Sequence, residues 1–246
     1  VSGNATLLAA QKLREQLWQT VSSEFNLDMQ DLILENGDFI DARSKRQLIS
    51  LRDLAALGES FIGEASYEAP LTNRVPAHIE AFPKQEESPH RLHFAYCYGV
   101  QAAIVAVNED TGKVRVLKII AAHDVGSAIS RRNCIGQIEG ATAQGIGYAL
   151  SENFVVRDGY PQIKTFNDLG LQRLKDLPQI EVILVESPHP YGPYGAKGMG
   201  ELAISPTAPA IVNAIHDAVD VWINELPVTS EKVLKALREK REGGKE

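Results

Sequence analysis

The sequence predicts an α+β protein on three observations. Helical and strand-like segments alternate without an internal repeat, Asn36-Gly37 separates two short apolar runs, and a long β-branched double run breaks at Asp110-Thr111-Gly112. In chain order, Ala10, Leu13, Leu17 and Val21 recur at helical spacing, so residues 4–24 form an amphipathic helix with Ser2 or Asn4 as its cap. LILENGDFID reads as a β-hairpin, because Asn-Gly supplies positive φ at both central turn positions. A short helix follows at Leu51–Leu57. The stretches LHFAYCYGVQAAIVAV and KVRVLKIIAA then pair as a long hairpin in a well-buried core sheet. Beyond it come a helix at 133–150, a strand in IEVILVE, a Gly/Pro loop, and helices near 206–223 and 230–240.

Pro70, Pro76, Pro83 and Pro89 punctuate residues 70–90, which are expected to cross the surface between two lobes and to mark their boundary. The first 240 residues are thus one region of two possible lobes, and the charged residues 241–246 a frayed tail.

Composition excludes several functions. With 44% hydrophobic and 23% charged residues over 246 positions, the chain can bury a real core. Its net charge of −7, from 32 acidic against 25 basic residues, argues against nucleic acid or an anionic membrane as partner, since both attract basic patches. Cys97 and Cys134 stand apart without ligand spacing, so no disulfide framework, zinc site or iron-sulfur site is expected, and a reducing cytoplasm fits. No apolar run approaches the ~20 residues that span a bilayer. The chain opens without Met on a segment that soon becomes helical, as expected of a piece of a longer subunit or one half of a split one.

Two stretches carry chemistry. In NCIGQIEGATAQGIGYAL, Gly136, Gly140, Ala143 and Gly147 fall on one helix face, with Gln137 placed in the first turn and Gln144 on nearly the same side. Each glycine costs about 1 kcal/mol of helical preference, so something must approach that face closely. A neighbouring element or a cofactor would serve, and amides near a helix start suit a pterin edge or a nucleotide phosphate. The dinucleotide pattern fails, because Leu150 stands where a third glycine belongs.

The second stretch is SPHPYGPYGAKGMGE, in which seven of the fourteen residues 187–200 are Gly or Pro. An anchored loop of this kind faces a ligand more readily than it forms regular structure. It is not a phosphate-binding P-loop, since Lys197 precedes Gly198 and Glu201 ends the run. Glu201 then either begins the next helix, where an acid is favourable, or acts as a general base whose pKa burial would raise. His123, His189 and His216 are read as structural, and no protein metal ligand is assigned. Asp124 and Arg131-Arg132 are read as a solvated surface, and Trp18 and Trp222 as core or interface residues on amphipathic helices.

GQIEGATAQGIGYALSE (136–152), AHDVG (122–126) and GAKGMGE (195–201), in this order, resemble the C-terminal molybdopterin-binding region of the xanthine dehydrogenase/aldehyde oxidase family. The opening VSGNA resembles the helix-opening segment of the same region. The resemblance spans nearly the whole chain. It implies the mixed α/β lobes of that cofactor-binding domain and a hydroxylase that uses water as oxygen source, with Glu201 as base on a molybdenum-bound hydroxyl. Gln137 and Gly136 would contact the pterin, with Lys197 and Gly198 beside them and Ser2, Gly3 and Asn4 near.

It further implies molybdopterin, as the cytosine dinucleotide, with molybdenum. The 2Fe-2S and FAD centres would sit on partner subunits or domains, within an oligomer that includes the N-terminal part of the molybdenum subunit. The substrate would be a purine or other N-heterocycle. The alternatives are an aldehyde, carbon monoxide, or a noncatalytic assembly role. Family members often follow the glutamate with Pro-Pro, whereas this sequence has Leu202-Ala203-Ile204 and only later Pro206. The molybdenum subunits are also roughly three times longer, so the chain alone is expected to be inactive.

Overall fold

A computed structural model of the chain describes residues 1–57, 60–70, 72 and 93–243. It divides into two compact units, 1–94 and 95–246. Apart from Pro70 and Thr72, the segment expected to cross between lobes lies outside the described residues.

The first unit opens with α1 (Ser2–Phe25), which begins earlier than its apolar periodicity indicated. Val1 occupies the cap position and no side chain caps the helix, so neither Ser2 nor Asn4 has that role. A meander of β1 (Leu32–Glu35), β2 (Asp38–Asp41) and β3 (Gln47–Ser50) follows, then α2 (Leu51–Ala56). Asn36 and Gly37 both take positive φ, 53° and 91°, as the tight β1–β2 turn requires. Ser50 caps α2 by accepting from the Asp53 N–H. Val21, Leu32, Phe39 and Leu54 form the core, and Trp18 meets Phe39 edge-on with ring centroids 4.9 Å apart. An extended strap runs along α1, where Lys12 and Gln16 donate to the carbonyls of Glu64 and Ile62. Only glycine fits at Gly63, since a Cβ there would strike the Ala9 carbonyl.

The second unit is built on a sheet of β4 (Gly99–Val107), β5 (Val114–Asp124) and β8 (Gln179–Val185), in that spatial order. β4 and β5 are antiparallel, as the Asp110-Thr111-Gly112 turn implied, whereas β5 and β8 are parallel and joined through α3 (Arg131–Leu150). Between α3 and β8 lie the two-residue strands β6 (Val156–Arg157) and β7 (Tyr160–Pro161) and the short α4 (Phe166–Leu169). Next come α5 (Thr207–Val219), which lies along β4, and α6 (Ser230–Gly243). Ile119, Ala121, Ile138, Ile146, Ile211, Ile215, Val233 and Leu237 close the core between sheet and helices.

Four expectations need correction. Among the described residues the sheet is covered on one face only: β4 alternates half-buried and exposed residues along its length, with Val100 71% and Ile104 53% exposed. The β-branched content that signalled full burial also occupies the open face. Secondly, α3 starts at Arg131 because Ser130 caps it by accepting from Asn133, which moves Gln137 from the first turn to the second. Thirdly, α6 continues through Gly243, so residues 241–243 are helical rather than frayed. Finally, Trp222 lies beyond α5 and stacks on His216, with ring centroids 4.0 Å apart.

The glycines of α3 serve two purposes. A Cβ at Gly145 would sit 2.5 Å from the Thr207 Cβ, and one at Gly147 would collide with the Glu152 carboxylate, so these glycines allow close packing. Around Gly136 and Gly140 nothing among the described residues comes within 4 Å of such a Cβ. Gly145→Val should therefore overpack the α3–α5 crossing and cost on the order of 1–3 kcal/mol. Gly140→Ala should leave the fold intact and gain up to about 1 kcal/mol of helix preference. Thermal unfolding of the two variants checks this, and a shift of the same sign in both would contradict it.

Candidate active site

Because β5 and β8 are parallel, the loops that follow them leave the sheet at the same end, where α3 also begins. Open sheets bind ligands outside the carboxyl ends of their strands, and here that end gathers AHDVG, GAKGMGE and the glycine-bearing helix. The two loops are laced by backbone hydrogen bonds. Val125 N–H donates to Val185 O at 3.0 Å, Lys197 N–H to Val125 O at 3.0 Å, and the Ser127 and His189 N–H groups both donate to Gly195 O at 2.9 Å. Gly126, with φ 64°, sits where a Cβ would collide with that same carbonyl, so only glycine lets the loops meet.

Under the lacing lies an ion pair. Lys197 Nζ reaches Asp124 Oδ2 at 2.5 Å, with side chains 8% and 9% exposed, and the Gly126 N–H donates to Asp124 Oδ1 at 3.0 Å. Burial pushes the Asp124 carboxyl up, but the Lys197 ammonium and backbone N–H groups more than offset this and hold it below the usual carboxylate range. Asp124 is thus a buried, paired acid and not a solvated surface residue. Lys197 turns its charge inward to pin the loop. Arg131 is the residue that pairs on the surface, with Glu186, which also accepts from the Ala128 N–H at 3.0 Å.

The KGMGE turn is held link by link. Cys97 Sγ donates to Gly198 O at 3.2 Å, the Met199 side chain packs on the apolar core, and Gln137 Nε2 donates to Gly200 O at 2.6 Å. Burial pushes the Cys97 thiol up, which favours the neutral donor. Glu201 follows at φ −106° and ψ 5°, heading a single helical turn, Leu202–Ile204. Its side chain makes no cap hydrogen bond and is exposed within this chain, so the burial expected to tune it is not supplied by the described residues. Gln137, Gly136, Lys197, Gly198 and Glu201 are therefore brought together. Ser2, Gly3 and Asn4 belong to the first unit at the start of α1, Ser2 and Gly3 exposed and Asn4 buried. Asp124, Cys97 and Ser130 were missed as supports. An acid ending an apolar strand two residues before a glycine was the available signal for Asp124.

Residues 1–178 match the model of the molybdopterin cofactor-binding domain. The chain is 33% identical over 244 residues to the probable hypoxanthine oxidase XdhD of Escherichia coli, covering 96% of this chain and 23% of that protein. It is 40% identical over 144 residues to the aldehyde oxidoreductase of Megalodesulfovibrio gigas, covering 58% of this chain and 16% of that protein. Among solved structures, quinoline 2-oxidoreductase from Pseudomonas putida superposes over 94% of this chain and 28% of its own, with TM-score 0.65 and 26% identity. The chain thus spans less than a third of the length of each of these relatives. With the family model covering most of its length and the same mixed α+β fold in its structural neighbours, the chain belongs to the molybdopterin-binding domains of the xanthine dehydrogenase/aldehyde oxidase family.

Proposed function

We propose that this chain is the part of a molybdenum hydroxylase that holds the pterin cofactor and presents Glu201 as base, in the oxidative hydroxylation of a purine or other N-heterocycle. One observation carries the reading. The open glycines Gly136, Gly140, Gly198 and Gly200 adjoin Gln137 and Glu201, so a surface without side chains, edged by one amide, lies beside one carboxylate. A flat ring with hydrogen-bonding edges fits such a surface, because backbone can approach it unobstructed. Gln137 already spends an N–H on Gly200 O, and the oxygen of the same amide remains an acceptor for a pterin N–H.

When bound, the molybdenum cofactor supplies the two-electron acceptor, with water as the source of the new oxygen. Glu201 takes up the proton released in that step on its carboxylate, which makes no cap hydrogen bond of its own and is presented by the turn. Lys197 and Asp124 keep the turn closed from beneath. In this reading the pterin is the cytosine dinucleotide, and the complex is cytoplasmic. Its other members supply the rest of the molybdenum subunit, 2Fe-2S clusters and FAD. The likeness to a probable hypoxanthine oxidase favours a purine, and that to an aldehyde oxidoreductase makes aldehydes the second reading.

The test uses the open glycines. A Cβ at Gly136 or Gly140 would meet nothing within 4 Å among the described residues, so the fold should tolerate Gly136→Leu and Gly140→Leu. In the complete complex, pterin and molybdenum content should fall severalfold while assembly persists. An assembled complex with full cofactor content in both variants would remove the cofactor from this face.

A further inference from the structure

Beneath the Glu201 turn lies a buried polar cluster that neither cofactor binding nor proton transfer uses. Gln101 sits on the covered face of β4 among apolar neighbours. Its Nε2 donates to Ala203 O at 2.8 Å and lies 3.1 Å from His123 Nε2 and 3.3 Å from Thr142 Oγ1. Its Oε1 accepts from Thr207 Oγ1 at 2.8 Å. Ala203, His123, Thr142 and Thr207 are all 0% exposed.

The arrangement of hydrogens follows from chemistry. Ala203 O only accepts, so the amide must turn its NH2 toward it, leaving Oε1 for the Thr207 hydroxyl. His123 Nε2 then faces a donor and must accept, which puts the ring proton on Nδ1. Burial pushes the His123 pKa down and keeps the ring neutral. Gly99 leaves the ring its room, since a Cβ there would collide with Nδ1.

Such a cluster is an expensive way to fill a core, because each buried polar group costs free energy unless satisfied, and Nδ1 of His123 finds no partner among the described residues. Its distinctive reach is the carbonyl of Ala203, two residues beyond Glu201, in the turn where Ile204 N–H closes onto Glu201 O at 3.2 Å. Thr207 Oγ1 lies 2.9 Å from that carbonyl, its single proton divided between it and Gln101 Oε1, and Thr207 heads α5.

We propose that Gln101, steadied by Thr207, is a positioning residue that fixes the Leu202–Ile204 turn and thereby the direction in which the Glu201 carboxylate is presented. The inference rests on Glu201 being the base. Gln101→Met keeps side-chain length but removes the amide, and Thr207→Val keeps shape but removes the hydroxyl. In the complete enzyme both should lower kcat by about 10- to 100-fold with KM little changed, as for a misplaced reacting group. Amide hydrogen exchange over residues 199–204 should quicken even without cofactor, and Thr207→Ser should restore both readouts.

Ile211→Ala, a core change on the same helix outside the cluster, controls for stability loss and should alter neither kcat nor exchange in that turn. The proposal is overturned if Gln101→Met and Thr207→Val match Ile211→Ala in kcat and in exchange over 199–204. Glu201→Gln measured in parallel separates the two ideas. Lost turnover in it leaves the base reading standing whatever the Gln101 result, whereas retained turnover removes base and positioning residue together.

Discussion

Glu201→Gln in the complete enzyme should lower turnover by about 10²- to 10⁴-fold, the usual scale for deleting a positioned base. The substitution is nearly isosteric, and the Glu201 side chain caps nothing and is exposed in this chain, so thermal stability and pterin content should not change. That separation is the informative part of the experiment. A loss of turnover with full cofactor content puts the deficit at the proton transfer. Unchanged turnover would return Glu201 to its simpler reading, an acid at the head of a helical turn.

The largest stability effect is expected at Lys197. Removing its ammonium in Lys197→Met leaves the Asp124 carboxylate buried without its cation, and breaking a buried pair costs about 3–5 kcal/mol. For a chain of this size that corresponds to a fall in Tm of roughly 10 °C. The pH dependence has a definite sign. In the parent protein the folded Asp124 pKa is depressed, so its contribution is present above the unfolded value of about 3.9 and is lost as pH falls through the folded value. In the variant, burial acts with less opposition and raises the folded pKa, so the stability gap between variant and parent should begin to narrow above about pH 4, as the stranded carboxylate protonates, and narrow further below it as the parent loses its own contribution. A pH series of thermal melts reads this directly, and a gap constant from pH 7 to pH 3 would show that the pair is not what holds the loop. Adding Asp124→Asn to Lys197→Met should recover part of the loss, since the stranded charge is then gone.

What was legible in the sequence was local. Asn36-Gly37 announced its turn because positive φ at two successive positions is a strictly local demand. The spacing of Leu13, Leu17 and Val21 gave α1, and the three motifs gave the grouping of Gln137, Gly198 and Glu201. The start of α3 was misplaced because its cap, Ser130, is separated from the glycine pattern by Arg131-Arg132, which looked like solvated loop. The pairing of Asp124 with Lys197 spans 73 positions, and no local pattern encodes it. Gln101 was hidden for a related reason, being a single polar residue in a β-branched run whose partners come from α3, β5 and the chain beyond residue 200. The glycines of α3 misled in part, since tight packing and an open face leave the same residue in the sequence.

The ties that hold the KGMGE turn join positions far apart: 101 for Cys97 to Gly198, 63 for Gln137 to Gly200 and 73 for Asp124 to Lys197. Contacts of such separation form late, because the loops they close must be ordered first. During synthesis the strands β4 and β5 and the helix α3 emerge well before residue 195, yet none of them alone can arrange the turn. A ribosome-bound chain arrested before residue 195 should therefore hold folded secondary structure without a receptive cofactor face. On the proposed reading, cofactor loading should then follow completion of the second unit.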